Sequence, residues 1–222
     1  MATAAILPVK RFDQAKQRLG EAIGASTRTT LAAAMFADVL AQIERATSLD
    51  EIMVVSSEPG VRSLADAAGA TLIDDPADKG QSHAALAGIA RAAAKGFARA
   101  LLVPGDCPLV DPGELDLLVR GSTDHDVVIV PDRHDTGTNA LLLDPSGPFE
   151  PKFGPGSLTR HVEQAEDKRL QHIVTTVPSL GLDVDTGDDL DQLVLALAGV
   201  HGRASRTRGV LSQIGRTGTA AA

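Results

Sequence analysis

The chain has 222 residues, of which 43% are hydrophobic and 23% charged, with a formal net charge of −8. That composition belongs to a globular domain able to bury a core, and its acidic balance offers no footprint for DNA or RNA. Trp and Tyr are absent and Phe occurs 5 times, so the aromatic platforms that stack single-stranded nucleic acid are missing too.

The first segment, Ala4–Val9, is a short apolar run feeding directly into Lys10 and Arg11. With no basic leader before it, it reads as a buried first strand and not as a signal peptide. Arg28–Arg45 carries Leu31, Met35, Val39 and Ile43 at helical spacing, with Ser26 or Thr27 as its N-cap. Glu51–Val55 is a strand, Val61–Ala68 a helix closed by Gly69, Thr71–Ile73 a strand, and His83–Lys95 a helix closed by Gly96. The strand Ala100–Val103 is followed by a helix over Pro112–Arg120, with proline in its first turn. Val127–Val130 and Ala140–Leu143 are strands joined by the polar loop Pro131–Asn139. Leu158–Glu166 reads as a helix, Ile173–Val177 and Leu182–Val184 as strands, and Leu190–Leu197 as the last helix.

Alternating strands and helices predict a three-layer α/β/α domain on a mostly parallel sheet. Residues 139–185 break the alternation, which predicts a small antiparallel excursion. From His201 the arginines lie among Gly, Ser, Thr and Ala, so residues 1–200 are expected to form the domain and 201–222 a mobile tail. No apolar run approaches the roughly 20 residues of a membrane-spanning helix. One cysteine, Cys107, permits no internal disulfide, and the cytoplasm is the expected location. The Ala-rich helices offer a surface for a homodimer.

Chemistry is concentrated at two strand ends. Ala100–Val103 stops at Pro104-Gly105 and delivers Asp106, and the cluster Asp183-Val184-Asp185 repeats the pattern. Ligands of open α/β sheets bind beyond the carboxyl ends of strands, and isolated acids there suit a hard divalent cation. Lys10, Arg11, Lys16 and Arg18 crowd the loop after the first strand, where cations can neutralise a polyphosphate. The spacing of a Walker loop is absent. Cys107 reads as a packing residue beside Asp106, Asp185 as either a ligand or the cap of the next helix, and His83 as a polar helix residue. Gly156-Ser157, just before a helix, forms a natural anion site, with an ordinary cap as the alternative for Ser157.

The segments "LPVK…AKQRL", "LLVPGDCPLV", "TGTNALLL", "KFGPGS" and "LDVDTGDDL" occur together and in order over residues 4–197. In that combination the chain resembles the CofC/FbiD family, guanylyltransferases of coenzyme F420 biosynthesis with a MobA-like, Rossmann-like nucleotidyltransferase fold. The resemblance implies Mg2+ held by Asp106 and Asp183, with Asp185 as a third candidate. It implies catalytic roles for Lys10, Lys16, Arg18 and Asp106. Nucleotide contacts are implied for Pro8, Val9, Lys10, Lys16 and Arg18 in the first loop, for Gly80 and Ser82, and for Pro104 and Gly105. Ser82 would also cap the helix that follows it.

The acceptor, a small phosphorylated acid, would meet Thr138, Asn139, Gly154 and Ser157. Some relatives have threonine at the place of Asn139. The implied reaction moves GMP from GTP to that acid and releases diphosphate, and the product passes to a downstream transferase of the F420 pathway. Phosphoenolpyruvate is the first choice of acceptor, then 2-phospho-L-lactate, then 3-phospho-D-glycerate. Another acceptor, such as molybdopterin or a sugar phosphate, and a nucleotide-binding module without turnover stay open as alternatives.

Overall fold

The computed structural model describes residues 1–75 and 77–216. Strand β1 (Thr3–Val9) is buried along its whole length, as its unbroken apolar run requires of a strand covered on both faces. After it come α1 (Ala25–Ile43), β2 (Glu51–Ser56), α2 (Val61–Ala67), β3 (Thr71–Asp74), α3 (Gln81–Ala94) and β4 (Arg99–Leu102). The second half holds α4 (Pro112–Gly121), β5 (Val127–Pro131), β6 (Thr138–Leu143), α5 (Ser157–Asp167), β7 (His172–Val174), α6 (Gly187–Gly199) and α7 (Ser205–Gln213).

The sheet runs β3-β2-β1-β4-β6-β5-β7, with β6 antiparallel to both its neighbours and the other pairings parallel. Side chains alternate across it. Ala5 and Leu7 pack with Phe36, Val39, Leu40 and Ile43 of α1, while Ala4 and Ile6 face Ala85, Ile89 and Ala92 of α3. Helix α3 comes close to β1 at Gly88, where an added Cβ would stand 2.3 Å from Ile6 Cγ2. The outer side of α1 makes a third cluster, in which Leu31 and Met35 meet Leu190, Leu193 and Leu197 of α6 and Val210 and Leu211 of α7. The three layers and the antiparallel excursion therefore match the sequence pattern.

Four expectations are corrected. Helix α1 begins earlier, at Ala25 behind Gly24, and neither Ser26 nor Thr27 caps it. Leu182–Val184 forms no strand, because β4 is already paired on both sides. Val184 makes one backbone bond there, from its N–H to the carbonyl of Asp106 at 3.2 Å. Of Ile173–Val177 only Ile173 and Val174 are in a strand, as part of β7. The expected mobile tail contains α7, whose Thr207, Val210 and Leu211 are buried. Asp38 of α1, 2% exposed, accepts hydrogen bonds from the N–H groups of Arg206 (3.2 Å) and Thr207 (2.8 Å). It thereby satisfies helix-end amides that Ala204 cannot cap. Residues 217–222 of that tail lie outside the described residues. Among the described residues no helix is long and apolar enough to cross a membrane.

Candidate active site

The strand order reverses at β1, with β2 and β3 on one side and β4 on the other, and a cleft of about 780 Å³ opens over the carboxyl ends of these strands. Such switch points are where open α/β sheets bind ligands. Val103 N–H bonds the carbonyl of Ile6 at 3.0 Å, and the chain then turns through Pro104-Gly105 over Phe36. A Cβ on Gly105 would lie 3.3 Å from the Phe36 ring, so the turn packs close and delivers Asp106 to the cleft.

Lys16 meets it from the first loop. Its backbone is left-handed (φ 56°), a conformation that costs a non-glycine residue about 1 kcal/mol and collects at functional sites. The side chain is 7% exposed, and Nζ donates to Asp106 Oδ2 and, at 2.6 Å, to Asp185 Oδ1. Burial alone would depress the ammonium, but the two carboxylates more than reverse this and hold it well above its ordinary value. Lys10 and Arg18 line the same cleft, whereas Arg11 pairs with Asp13 at 3.1 Å and is not part of the lining.

Asp183 is pushed up to about 6 by burial and by the charges of Asp106 and Asp185; a hydrogen bond from Asn139 Nδ2 (3.2 Å) opposes the shift. The segment that carries Asp183 and Asp185 is tied down by Asp189. Its Oδ2 accepts from Asp185 N (3.1 Å), Thr186 N (2.8 Å) and Thr186 Oγ1 (2.8 Å), and its Oδ1 pairs with Arg133 at 2.5 Å. Thr186, not Asp185, caps α6, so the capping alternative for Asp185 falls away.

Among the described residues no three carboxylate, imidazole or thiolate groups converge as a ready-made metal centre. The donor set nevertheless fits a hard cation. Asp106 Oδ1 is buried with no hydrogen-bond partner among the described residues, and Asp183 is destabilised as a carboxylate by burial and by its acidic neighbours. A divalent ion would relieve both conditions. Cys107 is fully buried, and its thiol is raised well above its ordinary value by burial and by Asp106 and Asp183, which keeps it protonated.

The far wall is built by β6 and the start of α5. Gly154 (φ 113°) and Gly156 (φ 69°) take a path that favours glycine, and Arg160 braces it by donating to the carbonyls of Lys152 (3.0 Å), Gly154 (3.2 Å) and Pro155 (2.5 Å). The first amides of α5 are not free: Ser157 N–H bonds Gly154 O at 3.0 Å and Leu158 N–H bonds Thr136 O at 3.2 Å. An anion here would therefore meet hydroxyls and the positive end of the helix dipole in place of a bare amide nest. Gly156 occupies the cap position, so Ser157 is no ordinary cap. Thr138 Oγ1 lies 2.9 Å from Nδ1 of the buried His161, whose Nε2 accepts from Lys152 N at 2.8 Å. With Nε2 accepting, the ring proton resides on Nδ1 and is donated to Thr138. That leaves the threonine its own proton to donate.

A family model described as guanylyl transferase CofC like matches residues 3–220. The chain belongs to this family. It is 46% identical, over 98% of both chains, to a phosphoenolpyruvate guanylyltransferase of Conexibacter woesei. It is 32% identical to a 2-phospho-L-lactate guanylyltransferase of Methanothermobacter thermautotrophicus, over 91% of this chain and 89% of that one. A putative nucleotide-diphospho-sugar transferase from Desulfovibrio desulfuricans superposes with a TM-score of 0.75 at 17% identity, covering 96% of this chain and 95% of that one. That likeness supports the nucleotidyltransferase fold alone.

For this member of the CofC-like family, the cleft gathers nearly every residue expected from sequence. Pro8, Val9, Gly80, Pro104, Gly105, Thr138, Asn139, Gly154 and Ser157 line it, together with Lys10, Lys16, Arg18, Asp106, Asp183 and Asp185. Ser82 is the exception. It does not line the cleft, and it does not cap α3, whose N-cap is Gly80; its Oγ instead accepts from Phe153 N at 2.9 Å, tying α3 to the far wall. Asn139 lines the cleft but also spends its amide on Leu180 O (2.7 Å) and Asp183, so it supports an acid of the site. Arg133, Asp189 and His161 were missed. Of these, His161 left a signal: it stands four residues after Ser157 and three before Gln164, all buried on one face of α5.

Proposed function

We propose that this protein transfers GMP from GTP to the phosphate of a small phosphorylated three-carbon acid, with phosphoenolpyruvate as the favoured acceptor. The observation that carries the reading is the buried Lys16 bridging Asp106 and Asp185, with Asp183 beside them, at the switch point of the sheet. So costly a cluster of buried charge in a cleft is the kind of arrangement that gathers at sites of chemistry. The full-length similarity to a phosphoenolpyruvate guanylyltransferase supports the choice of acceptor.

Asp106, Asp183 and Asp185 would hold Mg2+, which when bound polarises the α-phosphoryl group and neutralises charge on the departing diphosphate. Lys10, Lys16 and Arg18 neutralise the triphosphate. Thr138, through its free hydroxyl proton, and Ser157 orient the acceptor. An acceptor phosphate oxygen forms the new bond to the α-phosphorus in line with the bridging oxygen, whose bond breaks to release diphosphate. A phosphate monoester is already anionic at neutral pH, so no general base is required. The product would pass to a further transferase of coenzyme F420 biosynthesis.

The test is to incubate the protein with GTP, Mg2+ and each of phosphoenolpyruvate, 2-phospho-L-lactate and 3-phospho-D-glycerate, following diphosphate release and product mass. Fastest release with phosphoenolpyruvate is expected. No release with any of the three would refute the assignment.

A further inference from the structure

Asp75 is a buried residue of the cleft whose carboxylate accepts no hydrogen bond from the described residues. It follows the last residue of β3, lines the same cleft as Lys16, and its side chain is 7% exposed. Among the described residues the nearest candidate is His83 Nδ1, 3.6 Å from Asp75 Oδ1 and too far for a hydrogen bond. Its neighbour Pro76 has no N–H to offer. The backbone, by contrast, is fixed, with the Asp75 N–H on Ser56 O (3.3 Å) and the Asp75 carbonyl accepting from Asp78 N (3.3 Å). Carboxylates this buried are paired as a rule, and the open side of this one is the cleft.

Its position selects the kind of donor. In the sheet order β3 lies three places from β4, the strand that delivers Asp106, with β2 and β1 between them. Neighbouring strands are about 4.8 Å apart, so Asp75 is far from the group of acids that would face phosphates. The part of a nucleotide farthest from its phosphates is the base. Gly80 lines the same cleft, and apart from its chain neighbours no heavy atom of the described residues lies within 4 Å of where a Cβ on its backbone (φ 96°) would be, which leaves room for a flat ring.

We infer that Asp75 reads the base, its two oxygens accepting the N1–H and the 2-amino N–H of guanine. The inference deepens the reading above and rests on it. Among the common bases guanine alone presents two adjacent N–H donors on that edge. Adenine and cytosine set a lone pair beside their amino group, and uracil sets one N–H between two carbonyls. A two-pronged, charge-assisted pair in a buried site discriminates steeply, because a wrong base turns a lone pair toward the carboxylate.

The experiment measures kcat/KM for GTP, for ITP (which lacks the 2-amino group) and for XTP (which has a carbonyl there), in the wild type and in Asp75→Asn. The wild type is expected to prefer GTP over ITP by roughly 10- to 100-fold, the value of one good bidentate contact. Asp75→Asn should lose a similar factor on GTP and gain on XTP, since the carboxamide N–H now meets the 2-carbonyl. Equal use of GTP and ITP by the wild type overturns the inference without any variant. So does an Asp75→Asn protein that slows GTP and ITP equally, which would assign Asp75 to the ribose or to the fold. If the wild type turns over no nucleotide, the guanylyl-transfer reading fails, and calorimetric binding of GTP against ITP then decides the role of Asp75 separately.

Discussion

Lowering the pH from 7.5 to 5 is expected to cost this protein about 2 kcal/mol of folding stability through one side chain, His161. The imidazole is completely buried, and burial, followed by the positive charges of Arg160 and Lys152, pulls it from 6.5 down to about 4. Protonation would also place an N–H at Nε2, facing the Lys152 N–H that Nε2 now accepts at 2.8 Å. The unfolded chain takes up the proton around pH 6.5 while the folded chain resists it until about 4. Stability is therefore complete above 6.5 and is lost as pH falls toward 4, the depressed-pKa case. The full difference of about 2.5 pH units corresponds to roughly 3 kcal/mol, of which about 2 kcal/mol has been lost by pH 5. Urea melts at pH 7.5 and pH 5 on the wild type and on His161→Gln isolate the effect. Whatever the variant's stability at either value, its drop between them should be about 2 kcal/mol smaller. Equal drops, or an imidazole that titrates near its ordinary value in a proton NMR titration, would refute the reasoning.

Asp106→Asn should reduce turnover at least about 100-fold and weaken Mg2+ binding seen by calorimetry, while circular dichroism stays native; unaltered turnover would remove Asp106 from the chemistry. Asp38→Ala strips the acceptor from two amides at the start of α7 and is expected to cost about 1–3 kcal/mol. Hydrogen exchange over residues 205–213 should quicken first, and unchanged protection there would show that the carboxylate does not hold the helix. Asn139→Ala removes the bond that favours the Asp183 carboxylate, so the Asp183 pKa should rise further above about 6. The acid limb of the pH–rate profile should move to higher pH, and a limb that stays in place would deny that Asp183 must be ionised.

What sequence reveals here follows burial and chain-local spacing. β1 and the strand before Asp106 were legible because a strand covered on both faces leaves an unbroken apolar run. The acids and the basic loop were legible because chemistry at strand ends is local. Lys16, however, sits 90 residues from Asp106 and 169 from Asp185, and no spacing rule foretells that one lysine takes up both. His161 is held by a hydroxyl and a backbone amide, partners that no residue spacing marks. Asp75 hides in the run Asp74-Asp75-Pro76, which resembles an ordinary acidic turn until the fold buries one of the two acids. In α7 the inward face consists of only Thr207, Val210 and Leu211, at helical spacing among arginines and small polar residues, so its apolar signal is weak.

Helix α1 has two occupied sides, and this binds the end of the chain to its chemistry. Ala32, Met35 and Phe36 line the cleft, and Phe36 lies under the turn that presents Asp106, while Leu31 and Met35 take part in the cluster with α7. Truncation at residue 200 would bare an apolar seam and strand the buried carboxylate of Asp38, so a shortened protein should aggregate and clip more readily. Its loss of activity would come from a loosened backing to the site, although none of the described residues removed lines the cleft. Affinity tags and fusions therefore belong beyond α7 and should not replace it.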